Sequence, residues 1–231
     1  MCYSVKTSII SYTLGIIAGI FALFTRQTVL GLLIITYSQM QFSELLIWHG
    51  IDTKNDNLNR FGTSYGKYLL ATHNIAIGIG IILSIIFISK KKLKIIDFIP
   101  LVIGILFFMY VVFFYYLPNK YPDITLPLDP SCRDNTDKCQ NPNNRLNWTW
   151  PHKWYLFGYI ISCVILIIYI KPRNSKIWLF SVFTVSLIAS YIFNPKVIGS
   201  IWCFNSAILA PILVVVNYML IKNLNSTDIL T

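Results

Sequence analysis

The sequence predicts an all-α polytopic membrane protein, a bundle of seven transmembrane helices. Three observations predict it. Of 231 residues, 55% are hydrophobic and only 12% are charged, whereas soluble domains carry roughly 25% charged residues. The apolar residues come in long blocks rather than amphipathic stripes, which is the pattern of spans rather than of surface helices. Each block has the length of a membrane crossing, about 20 residues for a hydrocarbon core of roughly 30 Å. Together these exclude a soluble enzyme, a disordered tail and a disulfide-stapled secreted module.

The spans follow in order, all within one domain covering residues 1–231. The first, about 8–25, lies between Lys6 and Arg26. Thr25-Arg26-Gln27 offers no small-x-small cleavage site, so it reads as a retained helix rather than a signal peptide. The second, 28–50, is interrupted only by Glu44 and His49. The third, 68–89, contains an uninterrupted apolar run over 77–88 that is incompatible with the alternation of a membrane β-barrel. The fourth is 95–117. The fifth, 154–170, is the shortest, and Trp154, Tyr155 and Tyr169 anchor it while Lys153 and Lys171 snorkel. The sixth and seventh are 177–193 and 199–221. Residues 118–153 form the one sizeable loop.

Basic residues set the orientation. Arg26, the Lys90–Lys94 cluster, Lys171, Arg173, Lys176 and Lys222 crowd into short connections on one side. Such density marks the cytoplasmic face, so the N-terminus is expected outside and the C-terminus in the cytoplasm. Lys6 against Arg26 favours the reverse for the first helix alone. The 118–153 loop supports the first orientation. It carries Cys132 and Cys139 with six residues between them, an expected disulfide, and the sequon Asn147-Trp148-Thr149, an expected glycosylation site; both suit an external compartment. The net charge of +10 sits at helix ends. There it serves orientation and contact with anionic headgroups of the bilayer, not nucleic acid.

Glu44 is the sole glutamate and lies within a span. An acid at helix centre costs about 2.5–3.5 kcal/mol on insertion scales, so it is expected to face the bundle interior. At the helical repeat, Tyr37, Gln41, Glu44 and Trp48 share one arc, flanked by Thr36, Gln39 and Ser43, with His49 turned away. Counting from the predicted helix ends, Glu44 lies about 12 Å deep, His73 about 9 Å and Cys203 about 10 Å. Asn74, Trp202 and Asn205 fall near the same level. The expectation is one polar layer: either a structural network or a ligand pocket of Glu44, Gln41, Tyr37, Trp48, His73, Asn74, Trp202 and Asn205. Carboxylate, imidazole and thiolate are metal-competent, which makes Glu44, His73 and Cys203 candidate metal ligands or catalytic groups. No HExxH, CxxC or HxxxH spacing accompanies them.

The opening Met1-Cys2-Tyr3-Ser4, the acid Glu44, the Leu69-to-His73 element and Ile201-Trp202-Cys203 together resemble an uncharacterised family of multi-pass membrane proteins. That family opens with Met-Cys-Trp-Ser and has members in bacteria and large DNA viruses. The chain departs from it at Tyr3. The resemblance implies a seven-helix fold and singles out Cys2, Glu44, His73 and Cys203, but brings no known activity. The Ile, Asn, Lys and Tyr content is that of an AT-rich genome, and a viral source would place the chain in a host or virion membrane.

The functional expectation is a multi-pass membrane protein holding a small ligand or ion in an outward-facing polar pocket around Glu44 and His73. The alternatives are an intramembrane hydrolase or transferase using Glu44, His73 and Cys203, or a structural membrane or envelope component.

Overall fold

The computed structural model describes residues 4–118, 122–129, 146–148, 152–169, 173–193 and 198–222, some residues of the last three helices by their backbone alone. The chain is predominantly helical. Its elements are α1 (Val5–Phe24), α2 (Thr28–Asp52), α3 (Asp56–Ala71), α4 (His73–Leu83), α5 (Ile99–Val111), β1 (Leu126–Pro127), β2 (Leu146–Asn147), α6 (His152–Tyr169), α7 (Arg173–Phe193) and α8 (Ile198–Lys222). Both α4 and α5 run on into a π-helical turn, at Ser84–Ile88 and Val112–Tyr116, and a 3₁₀ turn at Ile95–Phe98 leads into α5. Among the described residues, three helices are long and apolar enough to cross a membrane: Val5–Phe24, Thr28–Asp52 and Ile95–Tyr116. A fourth crossing results if the bent pair Asp56–Ala71 and His73–Ile88 counts as one.

Two reversals set the frame. After α1, Arg26 adopts a left-handed backbone (φ 63°), with Gln27 N–H donating to Ala22 (2.8 Å) and Arg26 N–H to Leu23 (3.1 Å). After α2, Lys54 does the same (φ 53°), with Asn55 N–H donating to Gly50 (2.7 Å) and Lys54 N–H to Ile51 (3.2 Å). Both are Schellman ends, which satisfy the last helical carbonyls and turn the chain sharply. Asn55 then caps the next helix, its side chain accepting from Leu58 N–H at 3.1 Å. α1, α2 and α3 are thereby successive antiparallel neighbours.

Small residues bring α1 and α2 into close contact. The buried side of α1 is Ser8, Ser11, Gly15, Ala18, Gly19 and Ala22, a small-xxx-small stripe of the kind that joins membrane helices. A Cβ on Gly15 would meet Ser38 Oγ at 2.0 Å, and one on Gly31 would meet the Gly19 carbonyl at 2.9 Å. α2 is the hub, packed against α1, α3, α4 and α8. α4 lies against α5, where a Gly104 Cβ would fall 2.7 Å from the Asn74 and Ile75 backbone. α7 rests chiefly on α8, with light contact to α6.

The third span differs from its expected 68–89. Helix begins twelve residues earlier, at Asp56, and the path bends by 53° beside Thr72. α3 hides a polar, small-residue face of Asn59, Gly62, Thr63 and Gly66, and its exposed face carries Arg60. A hydropathy reading therefore takes it for a loop. The 118–153 loop also has structure. Leu126 and Pro127 pair antiparallel with Asn147 and Leu146, and Asn59 clamps the strand. Its Nδ2 donates to Thr125 O (2.9 Å) while its Oδ1 accepts from Thr125 N–H (3.0 Å). Cys132 and Cys139 lie outside the described residues, as does Cys2.

Candidate functional site

The polar arc of α2 is buried throughout. Tyr37, Gln41, Ser43, Glu44 and Trp48 are all interior, and Glu44 has no solvent-exposed surface. His49 is exposed on the opposite side. Ser11 of α1 donates its hydroxyl to Gln41 Oε1 at 2.9 Å, so an α1 serine and the α2 amide share the interior beside Glu44. Over this stretch of α2 lies the loop. Leu146 and Trp148 are buried, at 0% and 4% exposure, in a cluster with Met40, Ile47 and Trp48. Met40, Glu44, Ile47 and Trp48 lie on one helical face. The carboxylate thus sits between two apolar rungs that the loop residues cover. Sequence reasoning missed Trp148, whose burial arises from a contact between segments a hundred residues apart.

His73 lies elsewhere. Pairs along the α2–α3–α4 hairpin fix the register. Gly50 meets Asn59 and Ser43 donates to the Gly62 carbonyl (2.7 Å). Tyr65 donates to Gln39 Oε1 (3.0 Å), His73 stacks on Tyr37, and Thr28 donates to the Gly80 carbonyl (3.2 Å). Each step down α2 matches a step along α3 and α4. His73 therefore faces Tyr37, two turns or about 10 Å along the axis from Glu44. The expected single layer resolves into two levels, because α3 supplies helix where a loop was anticipated. The described side chains do not assemble a Glu44–His73 acid–base pair. Among the described residues there is also no group of three His, Cys, Asp or Glu side chains able to hold a metal.

The second level is a small polar chamber where α2, α4, α5 and α6 meet. The His73 imidazole hydrogen-bonds the Thr36 backbone and stacks on the Tyr37 ring, 4.1 Å between centroids. Its Nε2 is buried with no hydrogen-bond partner among the described residues. If Nδ1 donates to the Thr36 carbonyl, Nε2 of the neutral ring is an acceptor. Asn74 reaches across to α6, its Nδ2 donating to Gly158 O at 3.3 Å. The Ser162 hydroxyl meets Asn74 Oδ1 and Gly158 O. Tyr37, His73, Asn74 and Ser162 line a cavity closed by Leu70, Phe107, Trp154 and Gly158. The space open to a water-sized centre is about 10 Å³, enough for about one water molecule. Gly158 is needed here, since a Cβ would strike the Phe107 ring at 2.5 Å.

The remaining candidates lie apart. Asn205 faces α7, its Nδ2 at 3.5 Å from Ser190 Oγ. The side chains of Trp202 and Cys203 lie outside the described residues; the Cys203 backbone is one turn from Ala207, whose Cβ would be 3.6 Å from a Cβ on Gly15. Asn147 is exposed on β2 beside the buried Trp148. Ser162 and Gly158 were absent from the expected site, Thr36 was expected only beside the arc, and helix α6 gives no local signal that its serine meets Asn74. No family model matches the chain, and neither the curated proteins nor the solved structures contain one similar to it.

Proposed function

We propose that this is an integral membrane protein of seven membrane-crossing helices, N-terminus outside and C-terminus cytoplasmic, that binds a guest of water or small-ion size in its polar interior. One observation carries the membrane reading: polarity is inverted relative to a soluble domain. Glu44, Gln41, Ser43, His73 and Asn74 are buried, whereas Phe24 is 83% and Ile192 76% exposed. In water that distribution is unfavourable on both counts; in lipid it places each group where it belongs. The bilayer is then the principal partner, with anionic headgroups at the Lys90–Lys94 side.

The guest's size follows from the His73 chamber, and its chemistry from the imidazole. An acceptor nitrogen there calls for a molecule that donates a hydrogen bond, or for a proton or cation. Gln41 and Tyr37 continue the buried face of α2 that carries Glu44, so the carboxylate and the His73 chamber lie along one polar column. Reconstitution into liposomes tests this. Wild-type protein is expected to pass protons or a small monovalent cation faster than empty vesicles. Glu44→Gln and His73→Gln should each cut that flux at least tenfold while leaving yield and melting temperature intact. Wild-type flux equal to empty vesicles, or variants that lose the fold instead, would leave a purely structural membrane component.

A further inference from the structure

A second cavity, chemically unlike the first, opens between α7 and α8. Ser181, Val182, Val185, Ser186 and Ala189 of α7 and Asn205 and Leu209 of α8 line it, and its volume is about 380 Å³. That is within the roughly 300–1,000 Å³ of small-molecule sites. The α7 residues at 182, 185, 186 and 189 lie on one helical face. Small residues on a membrane helix normally admit a neighbouring backbone, yet here Ser181, Ser186 and Ala189 border empty space. Ser186 supplies the second observation. It is only 7% exposed, and its hydroxyl has no hydrogen-bond partner among the described residues. Its neighbour Ser190 instead donates to the Ser186 carbonyl at 2.8 Å and receives Asn205 Nδ2. A buried hydroxyl without a partner in apolar surroundings is unfavourable, and a guest with an oxygen at that point relieves it.

We infer that the α7–α8 crevice binds a neutral single-chain amphiphile from the membrane, its alkyl chain along Val182, Val185 and Leu209 and its hydroxyl or ester oxygen at Ser186. The chemistry selects this occupant. Among the described residues the lining carries no charged side chain, so a charged end would be buried without compensation. A helix of a second copy, about 10–12 Å across, does not fit a crevice of about 380 Å³; a slender chain does. Val185, which lines the crevice, is itself 65% exposed, so the chain enters from the lipid side. The inference rests on the membrane-spanning reading, which alkaline carbonate extraction tests separately.

The test uses full-length protein in phosphatidylcholine nanodiscs and a hexadecanol analogue carrying a diazirine on its chain. Saturable cross-links are expected on residues 181–189 and 205–209, displaced by unlabelled hexadecanol. Ser186→Ala should weaken half-saturation about three- to tenfold, the range of one lost hydrogen bond; Ser186→Thr should retain it. Ala189→Phe should abolish saturable labelling with the melting temperature unchanged. Labelling that does not saturate, or that survives Ala189→Phe in folded protein, overturns the inference. Cross-links between two copies through this face would do so equally. Should Ala189→Phe fail to fold, the Ser186→Ala and Ser186→Thr pair decides alone.

Discussion

α2 and α7 are both long helices, yet they are held in opposite ways. α2 packs on four helices, with glycines at its crossings and hydrogen bonds to α1, α3 and α4. α7 rests chiefly on one, and its small residues border a cavity. The difference teaches where polar groups are tolerated. Around α2 a carboxylate, an amide and an imidazole are enclosed by close backbone packing, so their positions are fixed. Beside α7 the Ser186 hydroxyl faces space that a mobile chain can fill. The first environment suits selection of a very small guest and the second suits adaptable uptake of an apolar one.

Substitutions that add volume sharpen the contrast most. Gly104→Val drives a side chain into the Asn74 and Ile75 backbone and should destabilise by about 3 kcal/mol, read as a collapse of thermal stability in detergent. Ala189→Leu, filling the α7 crevice, should shift stability by less than about 0.5 kcal/mol. Equal effects at the two sites would erase the distinction. Next in size, Asn59→Ala strands a buried N–H and carbonyl at Thr125 and should cost about 2 kcal/mol. It should also raise the rate of proteolysis within 122–148, since Trp148 would lose its tether over α2. Unchanged proteolysis would mean that burial of Leu146 and Trp148 alone seats the loop. Smallest is a gain. Arg26→Gly relieves a left-handed backbone and should raise stability by about 1 kcal/mol, measured by the melting temperature; a decrease would show that the arginine side chain outweighs its strain.

Much of this was legible in the sequence, for a physical reason. Continuous apolar runs mark α1, α2, α5 and α8 wherever they pack, and the buried polar arc of α2 follows from a helical repeat and one glutamate. α3 was illegible because its interior face is Asn59, Gly62, Thr63 and Gly66, small polar residues that no apolar count registers. That omission moved His73 in depth and merged two levels into one. Trp148 was hidden differently: its sequence neighbours are polar, and its burial is decided by Met40, Ile47 and Trp48 far along the chain. The Ser162–Asn74 contact, between α6 and α4, has the same non-local origin.

The hydrogen bond between Asn217 Nδ2 and Gln27 Oε1, 2.7 Å long, joins the first reversal to the last helix. Gln27 also donates to Val214 O at 3.2 Å. During synthesis this amide emerges almost two hundred residues before the partners that complete its bonding. Until α8 arrives, water or a chaperone must stand in for them. Chain completion and closure are thus chemically linked, and a prematurely terminated product would expose an unmet polar group that quality-control machinery can recognise.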